Sequence, residues 1–219
     1  MIDLTVFPRP STYKALDYKE GRRLIGEYPW DYYLRISQEV AKRWKFPFIL
    51  KTDVDNELYD IPGPGGIAGN LPGHKCLVDI QKDLVEKARV KHRNLYIKEG
   101  DVRSLPFKDG FFDLVIDTST LDHLHPRDVP RTLQEYHRVL KDGGLCLLFV
   151  WCTINGKYAE EYAKYNTWSP TMQFYFQYPE LKSHFEKLFK IESEDEFWSI
   201  SDIFMVCFLG EKCPGNTSN

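Results

Sequence analysis

No stretch of the chain is apolar for the roughly 18 residues that a bilayer-spanning helix needs, and its first residues, MIDLTVFPRP, lack the charged-then-apolar layout of a secretory leader. The chain is therefore expected to be soluble and cytoplasmic, without membrane contact. Its cysteines lack any chemically useful spacing. Cys76, Cys146, Cys152, Cys207 and Cys213 are odd in number and never fall as CxxC, which removes the case for a disulfide framework or a zinc site and leaves them as core thiols. A strong excess of charge of one sign is missing too. A net charge of -3 gives no general attraction to nucleic acid, which is not an expected partner. Fixed-period repeats and low-complexity tracts are absent, so the chain reads as successive elements of one structure.

What is present suits a single packed domain. A length of 219 residues with 42% hydrophobic content can bury a sizeable core. From residue 76 onward, short apolar runs alternate with segments of helical spacing. CLVDI (76–80) reads as a strand, and DLVEKARVKH as a helix through Leu84, Val85 and Ala88. LYIKEGD (95–101) and FFDLVIDTS (111–119) are the next strands. Pro126 and Asp128 then open a helix whose stripe runs Val129, Leu133, Tyr136, Val139, Leu140 up to Gly143 and Gly144. LCLLFVWC (145–152) is too apolar for a half-exposed strand and suits the buried centre of a sheet. Alternation of this kind implies a parallel sheet covered by helices on both faces.

Both ends depart from that rhythm. Pro29 stands where a first helical residue tolerates proline, and Trp30, Tyr33, Leu34, Val40, Ala41 and Trp44 mark one face of a helix ending near Lys45, expected to cap the ligand edge of the sheet. PELKSHFEKLF (179–189) is helical, and KIESEDEFW and DIFMVCFLGEK read as two strands joined by a short turn. The expected organisation is an N-terminal helical cap over 1–50, an α/β domain over 51–212 and a flexible tail over 213–219.

The stretch LYDIPGPGGIAG (58–69) is the densest glycine cluster. Taken as a strand (57–61) feeding a glycine turn and a helix, it sets a ligand seat at the carboxyl edge of the sheet. GPGGIA also satisfies the dinucleotide pattern G-x-G-x-x-A, with Asp79 near the place of a ribose-binding acid. Asp60 argues against a nicotinamide ligand, because the strand before such a turn is usually apolar up to the first glycine.

The order of these segments resembles the class I S-adenosylmethionine-dependent methyltransferases, in particular their small single-domain members, over roughly residues 58 to 209. LYDIPGPGG looks like their first motif, LVDI like the end of their second strand, and EGDVRSLPFKDGFFDLVIDTSTLDHL like their most recognisable block; RVLKDGGLCLLFV is similar to the helix, turn and fifth strand that follow. The resemblance implies a Rossmann-like seven-stranded, mostly parallel sheet with the last strand antiparallel, and S-adenosyl-L-methionine as cofactor. It implies Asp60, Pro62, Gly63 and Gly66 in the glycine loop, Asp79 on both ribose hydroxyls with Ile80 beside it, Asp101 at the adenine amino group with Val102 against the ring, and Asp117 and Thr118 at the fourth strand's end. Pro62 and Pro64 stand where the family usually has glycine, making the loop stiffer and poorer in N–H donors.

A methyl group on a sulfonium is already electrophilic, so the protein's task is to align a nucleophile and exclude water, with a base needed only for a protonated nucleophile. His123 is the expected catalytic residue, with His125 and Asp122 in LDHLH as alternatives; the His spacing gives no metal set, and none is expected. Tyr158, Tyr162, Tyr165, Trp168, Phe174, Tyr175, Phe176 and Tyr178 mark 153–180 as an aromatic insertion that either walls a small-molecule pocket or packs a helix on the sheet. Three readings stay open: a methyltransferase on a small acceptor, a non-catalytic member of the same fold, and an NAD(P)-dependent oxidoreductase.

Overall fold

The computed structural model describes residues 29–44, 47–58, 66–153, 174–200 and 203–214. Its elements in chain order are α1 (Pro29–Trp44), β1 (Phe48–Thr52), the short turns of helix α2 (Asp55–Leu58) and α3 (Gly66–Gly69), β2 (His74–Asp79), α4 (Lys82–Lys91), β3 (Tyr96–Glu99) and β4 (Phe112–Thr118). Two 3-10 turns (Leu121–His123 and Pro126–Asp128) lead into α5 (Val129–Val139), β5 (Leu140–Thr153), β6 (Phe176–Gln177), α6 (Tyr178–Glu186), β7 (Phe189–Ile200) and β8 (Ile203–Lys212). The strands form one sheet in the order β3-β2-β1-β4-β5-β8-β7, with the two-residue β6 beside β5. β1 through β5 run parallel, and β8 is antiparallel to both β5 and β7.

Period-two alternation separates the two faces of this sheet. Ile49, Leu114, Ile116, Leu147 and Phe149 point to the side covered by α1 through Tyr33, Ile36, Val40 and Ala41. Leu77 and Ile97 continue that side under α4, which buries Leu84, Val85 and Ala88. Leu50, Val115, Cys146, Leu148 and Val150 point the other way, onto Leu133 and Tyr136 of α5 and Leu181 and Phe185 of α6. Helix α1 thus lies across a sheet face rather than over its edge. Its Tyr33 reaches toward the carboxyl edge, where the hydroxyl meets Ser119 Oγ at 3.1 Å.

Three boundaries differ from the sequence reading. The first strand is Phe48–Thr52, and Glu57 and Leu58 belong to a helical turn instead of a strand entering the glycine loop. Helix α5 stops at Val139, where Leu140 turns extended (ψ 139°) and joins β5, four residues before the first glycine expected to end it; Gly143, at φ 72°, serves a bend inside the strand. Cys213 is tied down, its N–H donating to Leu188 O at 2.9 Å and its carbonyl bonded to His137 Nε2 at 2.9 Å. Among the described residues no helix is long and apolar enough to cross a membrane.

Gly210 shows how closely α6 sits on β8. A Cβ there would lie 2.6 Å from Phe185 Cε1 and 2.8 Å from Phe189 Cβ. Because the backbone of a central strand cannot retreat, Gly210→Ala is expected to destabilise the protein by ~1–3 kcal/mol, measured as a lower urea midpoint with unchanged m-value.

Candidate functional site at the carboxyl edge of the sheet

The chain leaves β1 toward β2 and β3 on one side and returns to β4 and β5 on the other, so the order reverses between β1 and β4. Open α/β sheets bind ligands in the crevice outside such a reversal. Here the neighbouring strand tips are stitched by side chains. Thr52 Oγ1 meets Thr120 Oγ1 at 2.6 Å, and Thr118 Oγ1 donates to Asp53 Oδ2 at 2.5 Å. Asp53 (φ 67°) and Ser119 (φ 68°) both adopt the left-handed region that non-glycine residues rarely enter, and they follow β1 and β4 directly. Strain on both lips of one crevice marks a place where the backbone path is constrained by something other than local preference.

Asp79 ends β2 at 9% exposure. Its Oδ1 accepts from Gln81 N (2.8 Å) and its Oδ2 from Val54 N (3.1 Å). Burial raises the pKa of this carboxyl, opposed by the two amides and by Lys51, with the charge of Asp53 adding to the rise. Each oxygen has a second lone pair beyond the one that its amide takes, so the group retains capacity for two further donors. Beside it Ile80 is 60% exposed, an apolar side chain open to a flat partner.

The other expected contacts are placed differently. Asp101 lies just past β3, but Arg103 forks its carboxylate through Nε (3.0 Å) and Nη2 (2.7 Å) while Nη1 reaches Asp128 at 3.1 Å. That fork holds the Asp101 carboxyl below its ordinary pKa. Val102 is buried in the core on the side of α5. Asp117 turns inward, with Oδ2 accepting from Tyr136 Oη at 2.6 Å and Oδ1 from Thr120 N at 2.7 Å. Thr118 is nearly buried and serves Asp53. Gly66 opens α3 at φ 56°. Asp60, Pro62 and Gly63 lie outside the described residues, as do Pro64, Tyr158, Tyr162, Tyr165 and Trp168. His123 is exposed on the 3-10 turn after β4, its N–H bonded to Thr120 O at 3.1 Å. Asp122 before it is buried, with Oδ1 accepting from Trp151 N at 2.9 Å; desolvation first and the Asp117 charge next push its pKa well up.

Sequence reasoning missed Lys51, Asp53 and Glu57. Lys51 is wholly buried and its Nζ lies 3.1 Å from Asp53 Oδ1 and 3.9 Å from Glu57 Oε1. Glu57, also buried, accepts from Ala68 N (2.8 Å) and Gly69 N (3.4 Å); burial raises its pKa and Lys51 opposes the rise. A lysine inside the apolar run FILKT was the available signal. The Ala68 and Gly69 amides of α3 are thus already satisfied by a carboxylate of this chain. Among the described residues no group of three His, Cys, Asp or Glu side chains could hold a metal.

A family model described as a methyltransferase domain matches residues 62–148. The chain is 33% identical to 2-phytyl-1,4-naphtoquinone methyltransferase of Nostoc punctiforme over 121 residues, half of each protein. Among solved structures, the PH0226 protein of Pyrococcus horikoshii superposes with TM-score 0.58 at 19% identity, covering 90% of this chain and all of that one. The geranyl diphosphate C-methyltransferase of Streptomyces coelicolor, solved with Mg2+, geranyl diphosphate and S-adenosyl-L-homocysteine, superposes with TM-score 0.59 at 8% identity over 76% of this chain and 74% of that one. These matches span half or less of the length of the first curated relatives. The solved structures share the fold of this chain, and the methyltransferase-domain model covers its central part, residues 62–148.

The Asp117 carboxyl carries a measurable signature. Burial pushes its pKa from the ordinary 3.8 up to about 7, opposed by the Tyr136 and Thr120 hydrogen bonds. Between those values the folded chain keeps a proton that the unfolded chain has released, so stability falls as pH rises through the window and levels off above it. Asp117→Asn imitates the protonated form, with its oxygen on Thr120 N and its amide facing Tyr136. The variant is expected to show a shallower fall of stability between about pH 4.5 and about pH 7.5 than wild type in urea titrations, the remaining fall coming from Glu57, Asp79 and Asp122, whose carboxyl pKa values burial also raises.

Proposed function

We propose that the chain is an S-adenosyl-L-methionine-dependent methyltransferase acting on a small organic acceptor. The observation that carries the reading is Asp79: a nearly buried carboxylate at a strand tip of the switch crevice, oriented by two amides and able to accept from two vicinal hydroxyls. Ile80, exposed beside it, offers an apolar surface to the adenine ring. These residues fit the adenosine half of the cofactor. The adenine amino group fits less directly, since Asp101 would have to share its carboxylate with Arg103. Gly66 opens α3, and together with Asp60, Pro62 and Gly63, which precede it in the chain, it is a proposed contact of the methionine tail. Asp117 and Thr118 act one step removed, by fixing the β4 tip.

The bound cofactor supplies an electrophilic methyl group on its sulfonium. The chain's own work is to bind, orient and exclude water. Where the acceptor arrives protonated, an imidazole nitrogen of His123 takes its proton; His123 stands on the exposed turn beyond β4, at the same edge as Asp79. The quinone named for the Nostoc relative supports a small, planar acceptor, and the aromatic stretch 153–180 is the segment we assign to holding it. Engagement of Asp101 by Arg103 favours a second reading, a member that holds the adenosyl ligand without transferring methyl.

Isothermal calorimetry with S-adenosylmethionine and S-adenosylhomocysteine tests the first claim. Both ligands are expected to bind, and Asp79→Ala to weaken each by ~1.5–3 kcal/mol while the variant still unfolds cooperatively. Silence from both ligands at millimolar concentration removes the proposal, and binding of NADH in their place restores the oxidoreductase reading. Transfer of labelled methyl to a naphthoquinone separates catalysis from binding alone.

A further inference from the structure

Lys51 enters β1 between Leu77 of β2 and Ile116 of β4, its register partners, on the apolar face beneath α1 and α4. Its side chain has no exposure at all. An ammonium so placed is costly unless every proton finds an acceptor, so its partners define its role. Three acceptors are present for three protons: Thr52 O at 3.3 Å, Asp53 O at 3.1 Å and Asp53 Oδ1 at 3.1 Å. Two of the three belong to Asp53, the residue held at φ 67°.

That left-handed turn has an effect on the next strand. Beyond it, Asp53 N donates to Val78 O at 2.9 Å and Val54 N to Asp79 Oδ2 at 3.1 Å. An extended residue at 53 would carry Val54 N away from β2, and Asp79 would lose one of the two amides that orient it. The remaining charges around Lys51 are already committed. Glu57, at 3.9 Å, sits on Ala68 N and Gly69 N, Asp53 Oδ2 takes the Thr118 hydroxyl, and Asp117 is bound to Tyr136 and Thr120.

We propose that Lys51 is a positioning residue for the adenosine half of the ligand: by gripping Asp53 in its left-handed turn, it keeps the Val54 amide on Asp79 and so leaves the free lone pairs of that carboxylate set for the ribose hydroxyls. The inference rests on the reading of Asp79 given under the proposed function. It separates geometry from charge in a way that can be tested, because glycine adopts a positive φ with no grip from a neighbour. Removing the ammonium should harm the site when residue 53 is aspartate and spare it when residue 53 is glycine.

The test compares wild type, Lys51→Met, Asp53→Gly and the double variant by two readouts, calorimetric affinity for S-adenosylhomocysteine and hydrogen exchange of the Val54 amide. Lys51→Met is expected to weaken binding about tenfold or more and to speed Val54 exchange, through loss of a hydrogen bond to a charged group. Asp53→Gly should bind within about threefold of wild type, and the double variant within about threefold of Asp53→Gly. Wild-type affinity in Lys51→Met, a double variant as weak as Lys51→Met, or a tenfold loss in Asp53→Gly each overturns the proposal. Should Lys51→Met not fold, Asp53→Ala replaces it: weaker binding than Asp53→Gly supports the grip on the turn, and equal binding refutes it. If wild type gives no heat with the nucleoside, the functional reading fails separately, and the Val54 exchange rates of the same four proteins still decide the role of Lys51.

Discussion

The carboxyl edge of this sheet concentrates carboxylates where water is scarce, and the structure depends on how they are satisfied. Asp53, Glu57, Asp79, Asp117 and Asp122 all lie at or just beyond the strand tips, and all but Asp53 are buried or nearly so. An isolated buried carboxylate is unfavourable by several kcal/mol. Lys51 neutralises only the part of this set nearest β1. The rest is handled by backbone amides: Val54 and Gln81 on Asp79, Thr120 on Asp117, Trp151 on Asp122, and Ala68 and Gly69 on Glu57. Asp79 and Asp117 are tied in this way to the connections just beyond the strand tips, Glu57 to the short helix α3 and Asp122 to strand β5, so the segments that build the crevice are ordered by the groups whose burial they relieve.

This coupling runs in both directions. The role proposed for Asp79 depends on its being desolvated and pre-aimed, and it is desolvated because the chain after β1 folds back over β2 through Asp53 and Val54. A more exposed acid would reorient on binding and lose part of the gain to water. Asp101 illustrates the other case. At the tip of an edge strand, partly exposed and already forked by Arg103, it has a partner that any ligand must share or displace, and the Arg103–Asp128 contact links it to the start of α5. Two acids that look equivalent along the chain are thus unequal in the fold.

Elements with a clean period were legible before any coordinates. Helix α4, strands β3 and β4, the buried β5 and the closing pair β7 and β8 fall within a few residues of their expected bounds, because alternation or helical spacing is unbroken there. Strand β1 was not legible. Its apolar run, Phe48 to Leu50, stops at Lys51, and the glycine loop downstream is a stronger local signal than three apolar residues, which drew the expected strand forward onto Glu57 and Leu58. Pattern reading scores a lysine as exposed by default; here packing of the sheet face overrides it, and the ammonium is satisfied by Thr52 and Asp53, one and two residues along the chain. The end of α5 was misjudged for a related reason, as Leu140 is apolar enough to extend the helical stripe but is recruited by β5.

The candidate site shows the same division. Asp79 could be named from its place at the end of an apolar strand, since position along the strand is a local property. The orientation of Asp117 could not, because it depends on Tyr136, nineteen residues on along the chain. With both neighbours of Asp117 in the sheet buried, a side chain on the α5 face meets Tyr136 before it meets solvent, and the phenol hydroxyl satisfies it from within the core. On the proposed reading the crevice faces its ligand with the acid of β2, while the acid of β4 is turned under it as a strut. Placing one carboxylate outward and its neighbour inward avoids two like charges at one ligand face, which would repel each other and raise both pKa values. That asymmetry lets Asp79 remain an acceptor although the Asp53 carboxylate already acts on it.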